Sequence, residues 1–374
     1  VEPSTVAHAS SHTEGGSDVI TVTGNQISNY QSFRNVIING GMSVAQRGTS
    51  LASITGTGNF QADRWKFDEG ADATVTLSVE NDAPTGSGFR KSSKILFTTG
   101  DNSLAAGQYE VFQQAIEGQN LQHFAKGTSS AKKFAVQFWV KSNVTGTYIV
   151  ELKDDDNSRT VSASYTINAS GTWEKKTIIF PADTTGAFNN DNGSSLIMYF
   201  WLAAGSTYSG GTLNTSWASN TDANRAVGQV NAAASNNNYW QVTGVQLEAG
   251  DVTTPFEFEP YDVTLRRCQR YYVKYSWDAN GYVGVGMCRT GNYVSWNHTL
   301  PVPMRVAPTS LTFNGTWAVL DASITGRGLS SLSMNTSSLL DVNALGVGFN
   351  LVSGNAATIF ASTAISLEVN GAEL

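Results

Sequence analysis

Short runs of alternating side chains recur along this chain and constrain its fold more than any other feature. The runs are rich in Val, Ile, Thr, Tyr, Phe and Trp, lie between clusters of Gly, Asn, Asp and Ser, and include residues 73–80, 94–99, 133–141, 146–153 and 194–203. This combination is typical of strands separated by turns. It predicts an all-β protein, with a jelly-roll or β-sandwich domain followed by a second, smaller β-sandwich and a short extended N-terminal arm.

The alternation also predicts which side chains face the core. Successive side chains of a strand point to opposite faces of the sheet. In residues 133–141 one face carries Phe and Val, and Trp139 falls on the other. In residues 194–203 one face carries Leu, Met and Phe, whereas Tyr199 and Trp201 fall on the other.

Charge is sparse in this chain and argues against some classes of partner. Charged residues make up 14% of the sequence, against about 25% in a typical soluble domain. The net charge of −7 comes from 23 basic and 30 acidic residues. A chain of this kind lacks the basic surface that follows a phosphate backbone, so we expect no nucleic-acid partner. No apolar run approaches the roughly 18 residues of a membrane span, so we expect no membrane insertion.

Two cysteines, Cys268 and Cys288, are the only thiols of the sequence. Their spacing fits no zinc motif, and they either pair in an oxidising compartment or remain two buried free thiols, which we favour. We expect no cofactor, and a structural metal ion stays an open alternative.

Three zones organise the chain. Residues 1–33 are polar and weakly patterned and are predicted to form the arm or the end of a stalk. Residues 34–262 form the long β-rich block that we assign to the jelly-roll domain, and residues 263–374 form the C-terminal β-sandwich. Helical spacing occurs in two places, at 111–125 and in a bridge at about 263–275.

Catalytic motifs do not stand out. Hydrolysis of a glycan needs two carboxyl groups roughly 5–9.5 Å apart across the scissile bond. The run Asp154–Asp156 falls at a predicted hairpin tip, where solvated turn residues are expected, and Glu257 and Glu259 alternate on one predicted strand face beside prolines. We therefore expect a protein that is not an enzyme.

Aromatic side chains give the most informative functional pattern. Sugar rings have apolar faces that pack on Trp and Tyr, while amide and carboxylate groups bind their hydroxyls. The candidate glycan contacts lie opposite the aliphatic faces of strands or in the loop-rich stretch that follows, and they are Trp139, Tyr199, Trp201, Tyr208 and Trp217. The alternative for each ring is packing against a loop or a neighbouring subunit.

Several phrases resemble those of bacteriophage tail fibres, in the same order along nearly the whole chain. They are AHASSHTEGGSD (7–18), RNVIINGGMSVAQRGTS (34–50), ADRW (62–65), FWVKSNVTGTYIVEL (138–152), TWEKKTIIFPADTTGAFNNDNG (172–193), VQLEAGDVTTPFE (245–257), RCQRYY (267–272) and LPVPMRVAPT (300–309). The middle block is also similar, more distantly, to jelly-roll carbohydrate-binding modules.

This resemblance implies a receptor-binding tail fibre of a virion. It implies a homotrimer that attaches the virion to a bacterial surface polysaccharide or lipopolysaccharide without cleaving it, and an N-terminal arm that joins other tail proteins. Repeated weak sugar contacts on such a trimer would gain avidity. Two alternatives remain open: a purely structural fibre or adaptor segment, and a glycan depolymerase.

The trimer that the resemblance implies would bring together His8 and His12 of three chains. The two histidines lie four residues apart in the arm, and three copies of the pair would line the trimer axis and bind a metal ion or an anion. The alternative is that both imidazoles pack within an arm of small residues.

Overall fold

Antiparallel sheets make up nearly all the regular structure of this chain. The computed structural model describes residues 32–290, 292–320, 326–339, 341–348, 351 and 353–374. Contacts divide the chain into two units, Val1–Arg34 and Asn35–Leu374, and the second contains all the elements given below. Residues 1–31 of the predicted N-terminal arm, which include His8 and His12, lie outside the described residues.

The first thirteen strands form two sheets. They are β1 (Ser50–Ile54), β2 (Asn59–Phe60), β3 (Lys66–Glu69), β4 (Thr74–Glu80), β5 (Ser92–Thr99), β6 (Tyr109–Glu117), β7 (Phe134–Ser142), β8 (Gly146–Asp154), β9 (Arg159–Ile167), β10 (Glu174–Phe180), β11 (Ser194–Ala204), β12 (Ala218–Ser219) and β13 (Tyr239–Ala249). One sheet has the order β1-β4-β5-β13-β7-β10, and the other has the order β12-β9-β8-β11-β6-β3-β2.

The two sheets pack face to face through the residues that the alternation predicts. Phe138 on β7 and Phe200 on β11 belong to different sheets, are both fully buried, and meet edge to face at 5.0 Å between ring centroids. Trp240 on β13 also packs on Phe200, at 5.3 Å. The contact across the sheets confirms the prediction of a β-sandwich.

Ten further strands form a second pair of sheets. They are β14 (Val273–Trp277), β15 (Tyr282–Thr290), β16 (Tyr293–Thr299), β17 (Ser310–Asn314), β18 (Trp317–Leu320), β19 (Gly326–Gly328), β20 (Ser331–Ser337), β21 (Asp341–Val347), β22 (Ala356–Ala361) and β23 (Ile365–Asn370). Their orders are β14-β23-β17 and β19-β18-β22-β15-β16-β21-β20. Trp296, Trp317 and Leu367 lie in the core between them. This second sandwich agrees with the predicted fold class, while the domain boundaries at 33/34 and 262/263 stay a prediction.

The first predicted helical stretch, residues 111–125, is a strand over its first half. Residues 111–117 belong to β6, which pairs with β11 and β3, and two 3-10 turns follow at Gly118–Asn120 and Gln122–Phe124. Tertiary pairing on both edges overrides the local helical spacing. The second stretch is a helix over part of its length. Two α-helices are described, α1 (Ser206–Ser209) and α2 (Tyr261–Gln269), and β14 replaces helix from residue 273.

The hairpin predicted around residues 153–159 is present, but one of its carboxylates is buried. Asp154 lies directly across from Arg159 in the strand register, at the end of the β8–β9 hairpin. Its side chain is fully buried and accepts a hydrogen bond from Lys126 Nζ at 2.5 Å. The prediction of a solvated turn is therefore wrong for Asp154, because a buried lysine from a distant segment supplies the counter-charge.

The second acidic candidate also differs from its prediction. Residues 251–260 are not in a strand, so Glu257 and Glu259 do not share a strand face. The Glu257 carboxylate accepts a hydrogen bond from Asn35 N at 3.0 Å, and the Glu259 carboxylate pairs with Arg267. Both carboxylates thus hold the segment that leads into α2.

The side chains of Cys268 and Cys288 are both buried, and neither forms a disulfide, as favoured from the sequence. Burial raises the pKa of the Cys268 thiol, because the thiolate would lose its hydration. Among the described residues, no helix is long and apolar enough to span a membrane.

Candidate functional site

The outer face of the sheet that contains β11 carries an aromatic cleft. Tyr199 and Trp201 point away from the core because the alternate residues of β11, such as Phe200, point into it. Trp201 lies opposite Val111 on β6, and Val111 lies opposite Asp68 on β3. Three neighbouring strands therefore supply one continuous surface.

The segment after β11 folds back over this surface and closes the cleft. Helix α1 follows β11 directly and places Tyr208 over Trp201, with 5.4 Å between ring centroids. Arg225 comes from the same segment. The resulting cavity of about 150 Å³, here called the tyrosine cleft, is lined by Asp68, Tyr109, Val111, Gln113, Tyr199, Trp201, Tyr208 and Arg225.

Trp201 forms the floor of the tyrosine cleft and is held by a buried ion pair. The indole Nε1 donates to Glu151 Oε2 at 2.9 Å, and the Arg225 guanidinium binds both oxygens of Glu151, at 2.8 and 3.1 Å. Glu151 has no exposed surface, and burial raises its pKa against the opposing effect of Arg225. The pair neutralises the charge of Arg225 and fixes the indole.

Three half-buried tyrosines form the walls. Tyr109 meets Tyr208 edge to face at 5.5 Å, and Tyr199 lies 6.3 Å from Trp201. The pKa values of Tyr109 and Tyr199 are raised, chiefly by burial. Both phenols are therefore neutral at physiological pH and can each donate and accept a hydrogen bond.

A polar group completes the cleft on the side of β3. Asp68 accepts a hydrogen bond from Gly58 N at 2.6 Å and pairs with Lys66 at 2.8 Å. The Gln113 amide donates to the same carboxylate. In the described part of the chain, Gln113 Oε1 has no hydrogen-bond partner. A ligand hydroxyl that reaches this oxygen would supply the missing donor.

The arrangement suits binding better than hydrolysis. A retaining or inverting glycosidase uses one carboxyl group on each side of the bond that breaks. Asp68 lines the cleft, whereas Glu151 lies beneath Trp201 with both oxygens engaged by Arg225. The aromatic walls and the polar side match the apolar faces and the hydroxyls of a sugar ring.

Three of the five predicted glycan contacts meet in the tyrosine cleft, namely Tyr199, Trp201 and Tyr208. Trp139 lies elsewhere, on the other sheet, in a depression that it shares with Phe89, Phe256 and Phe258. Trp217 is 9% exposed, and its indole donates to Pro181 O at 2.9 Å. Its ring packs against Phe134 at 5.5 Å, which makes it part of the core.

Five lining residues were missed from the sequence: Asp68, Tyr109, Val111, Gln113 and Arg225. The alternation of β6 was a usable signal for Tyr109 and Gln113, because Phe112 and Ile116 mark the core-facing side of the same strand. Arg225 carried no such signal. Its partner Glu151 is distant in sequence, and only the fold brings the two together.

Comparisons with known proteins give similarity at the level of solved structures. No family model and no curated protein matches this chain. The chain is similar over 58% of its length to the enzymatically active domain of tailspike protein 4 of bacteriophage CBA120, with 14% identity and a TM-score of 0.32, and the match spans 21% of that tailspike chain.

Two carbohydrate-binding modules are similar to a comparable extent. One is the family 11 module of Clostridium thermocellum in complex with a β-1,3-1,4-mixed-linked tetrasaccharide, with 12% identity, a TM-score of 0.28 and coverage of 55% of this chain and 99% of that one. The other is TmCBM61 in complex with β-1,4-galactotriose, with 12% identity, a TM-score of 0.29 and coverage of 58% and 99%. At such TM-scores the assignment of function rests on the cleft itself.

Proposed function

We propose that this protein binds a glycan non-covalently in the tyrosine cleft. The observation that carries the proposal is the convergence of Tyr109, Tyr199 and Tyr208 over the buried indole of Trp201, beside the polar side chains of β3 and β6. Tyrosine offers an apolar ring and a polar hydroxyl together, which is the combination that a sugar ring requires.

The charges of the cleft favour a neutral sugar. Arg225 is neutralised by Glu151, and Asp68 by Lys66. No net charge is left to attract a uronate or sulfate group, so affinity should depend little on salt. The cavity of about 150 Å³ is half the lower limit of roughly 300 Å³ for drug-sized pockets, which suits one or two sugar units.

The biological setting that we propose is attachment of a virion to its bacterial host. It is supported by the tail-fibre phrases along the sequence. In this setting the glycan is a surface polysaccharide or lipopolysaccharide, the arm joins other tail proteins, and a homotrimer supplies avidity. On strand β15 the exposed fractions of Tyr282, Val285 and Met287 are 74%, 75% and 52%. Exposed apolar surface of this kind favours self-association.

Single tyrosine variants test the glycan proposal. We expect Tyr109→Ala and Tyr208→Ala each to weaken binding to host polysaccharide by about tenfold or more, which corresponds to about 1.4 kcal/mol. Affinity would be measured by calorimetry on purified polysaccharide, and circular dichroism would verify folding. Tyr261→Ala is the matched control, because Tyr261 is 60% exposed and lies outside the tyrosine cleft.

A further variant distinguishes the cleft from the other candidate surface. If Trp139→Ala abolishes binding while both tyrosine variants bind normally, the glycan occupies the depression beside Phe89 and the proposed site is wrong. Release of new reducing ends from the polysaccharide by the wild-type protein would instead favour the depolymerase alternative.

A further inference from the structure

Two buried glutamates face the core from neighbouring strands. Glu69 on β3 and Glu110 on β6 are direct cross-strand partners at one end of the β3–β6 ladder. Phe67 and Phe112, two residues away on the same strands, belong to the hydrophobic core, so both carboxyl groups point between the sheets. The exposed fractions of the two glutamates are 2% and 0%. Directly opposed side chains have Cβ atoms about 4.5–5.5 Å apart, which lets the two carboxyl groups meet.

Three of the four carboxyl oxygens have no partner among the described residues. They are Glu69 Oε1 and both oxygens of Glu110. The fourth, Glu69 Oε2, accepts a hydrogen bond from Gly56 N, in the loop before β2, at 3.1 Å. Buried polar atoms of native proteins are nearly always hydrogen-bonded, so this group calls for a specific explanation.

The charges that act on the pair from the described residues are all negative. Asp72, in the turn after β3, acts on Glu69, while Asp101, just after β5, and Glu69 itself act on Glu110. On its other side Glu110 lies across from Ala203 of β11, which has no charge. No Lys, Arg or His side chain in the described part of the chain forms an ion pair with either glutamate.

A shared proton explains this arrangement. Two ionised carboxylates side by side in a buried site lose their hydration and repel each other, so at least one of them keeps its proton. A protonated carboxyl group is also a hydrogen-bond donor, and it gives a partner to an oxygen of its neighbour. We propose that Glu69 and Glu110 share a proton and form a pH-sensitive latch, which holds β3 on β6 and opens when both groups ionise at alkaline pH.

The pKa values of both glutamates are shifted in the direction that this latch requires. Burial is the largest cause for each of them. It raises the pKa of Glu69 to about 7 and the pKa of Glu110 well above its ordinary value of 4.5, and the neighbouring carboxylates add to both shifts. The pair therefore releases its protons to the solvent in two steps, the second of them above pH 7.

The stability of the protein should fall as the latch loses its protons. The unfolded chain ionises both glutamates near pH 4.5, whereas the folded chain keeps a proton on the pair to a higher pH. The contribution of the pair is therefore fully present below pH 4.5 and is lost as the pH rises through 7 and beyond. Between pH 7 and 9 the buried Cys268 thiol adds a loss of the same sign, which a comparison of variants cancels.

The latch lies directly behind the tyrosine cleft. Asp68 is next to Glu69, and Tyr109 is next to Glu110, and both line the cleft on the opposite face of the sheet. Opening of β3 from β6 would separate these two lining residues, so glycan affinity should also fall at alkaline pH. This consequence rests on the proposed function, whereas the latch itself rests on the burial and the charges of the two glutamates.

Urea unfolding of the full chain at pH 7 and pH 9 tests the latch. Glu69→Gln/Glu110→Gln removes both titratable groups at nearly constant volume and keeps hydrogen-bond donors in their place. Between the two pH values we expect the unfolding equilibrium constant of the wild type to rise about tenfold more than that of the double variant. Glu110→Gln alone should lose most of the excess rise, and it serves if the double variant does not fold.

Two further measurements report on the proton and on the strand. Infrared spectroscopy at pH 7 should show an absorption of a protonated carboxyl group that the double variant lacks. Hydrogen exchange followed by mass spectrometry should show that the amides of β3 lose protection between pH 7 and 9, relative to those of β8, in the wild type alone. Asp251→Asn is the matched control, because Asp251 is exposed and lies far from the pair in sequence. It should behave as the wild type does.

Two results would overturn the latch. If the double variant keeps the whole infrared absorption of the wild type, the two glutamates hold no proton at pH 7. If its unfolding responds to pH as that of the wild type does, other groups cause the alkaline loss of stability. A wild type that shows both signals of the latch but binds no glycan at any pH supports the latch and contradicts only the proposed function.

Discussion

At the residue scale, His298 shows how packing fixes a protonation state. Its ring stacks on Tyr275, with 5.5 Å between centroids, and its Nε2 accepts a hydrogen bond from Trp296 Nε1 at 3.0 Å. Burial lowers the pKa of His298 to about 4, because the imidazolium would lose its hydration. Protonation of His298 Nε2 would also break this hydrogen bond, because the new N–H group would face the N–H group of Trp296 Nε1.

Acid should therefore destabilise the protein through His298. Its pKa of about 4 in the fold lies below the 6.5 of an ordinary histidine, so the unfolded chain takes up this proton first as the pH falls. The stability that His298 contributes is present above pH 6.5 and is lost toward pH 4, with about 1–2 kcal/mol lost between pH 7 and pH 5. Denaturant unfolding of the wild type and His298→Gln at both pH values measures this loss, and equal losses would contradict the assignment.

At the scale of an element, the β8–β9 hairpin depends on a buried lysine outside it. Lys126 Nζ contacts Asp154 at 2.5 Å and Asp183 at 3.1 Å, and the side chains of Lys126 and Asp154 have no exposed surface. The ammonium group also donates to two backbone carbonyl oxygens, of Thr185 at 3.0 Å and Gly186 at 2.7 Å. One cation thus joins the hairpin to the loop after β10.

Loss of this cation should cost far more than an ordinary surface ion pair. Lys126→Met leaves Asp154 buried without its counter-charge, and we expect the free energy of unfolding to fall by about 3–5 kcal/mol. Urea denaturation measures the change. The double variant Lys126→Met/Asp154→Asn should recover part of the loss, because it removes the uncompensated charge. A double variant no more stable than Lys126→Met would show that the other contacts of the ammonium group dominate.

At the scale of the whole molecule, two arginines, one of them buried, join the two pairs of sheets. Arg64 is 2% exposed, stacks on Tyr271 at 3.5 Å, and pairs with Glu373 at 2.6 Å. Arg270, just after α2, binds both oxygens of Glu117 at the end of β6, each at 2.8 Å. These contacts link residues far apart in sequence, so the two sandwiches should unfold as one cooperative unit.

The proposed homotrimer makes a prediction at the same scale. We expect light scattering after size exclusion to give three times the chain mass for the wild type, and Val285→Lys/Met287→Lys to give a smaller mass, because two charges on β15 would be buried in the interface. Val252→Lys is the control, since Val252 is also exposed, at 59%, but lies outside β15. A monomeric wild type would remove the avidity argument, and a trimeric double variant would place the interface elsewhere.

The sequence by itself determined the strands, their buried faces and the sandwich class. Alternation in β7 and β11 is a local property, since it requires only that one face of each strand meets a core. It therefore placed Phe138 and Phe200 in the core, and Tyr199 and Trp201 opposite it. Where local spacing and strand pairing disagreed, as in β6, the interpretation from sequence was wrong.

Only the tertiary structure decided which aromatic rings form a site. Trp201 and Trp217 were both predicted to contact a glycan. The structure places the first on the floor of a cleft and packs the second in the core. Strand order and the reversal of the chain after β11 bring Arg225 to Glu151, although the two residues are distant in sequence. Electrostatic and packing energies depend on those distances in space, and the linear sequence does not contain them.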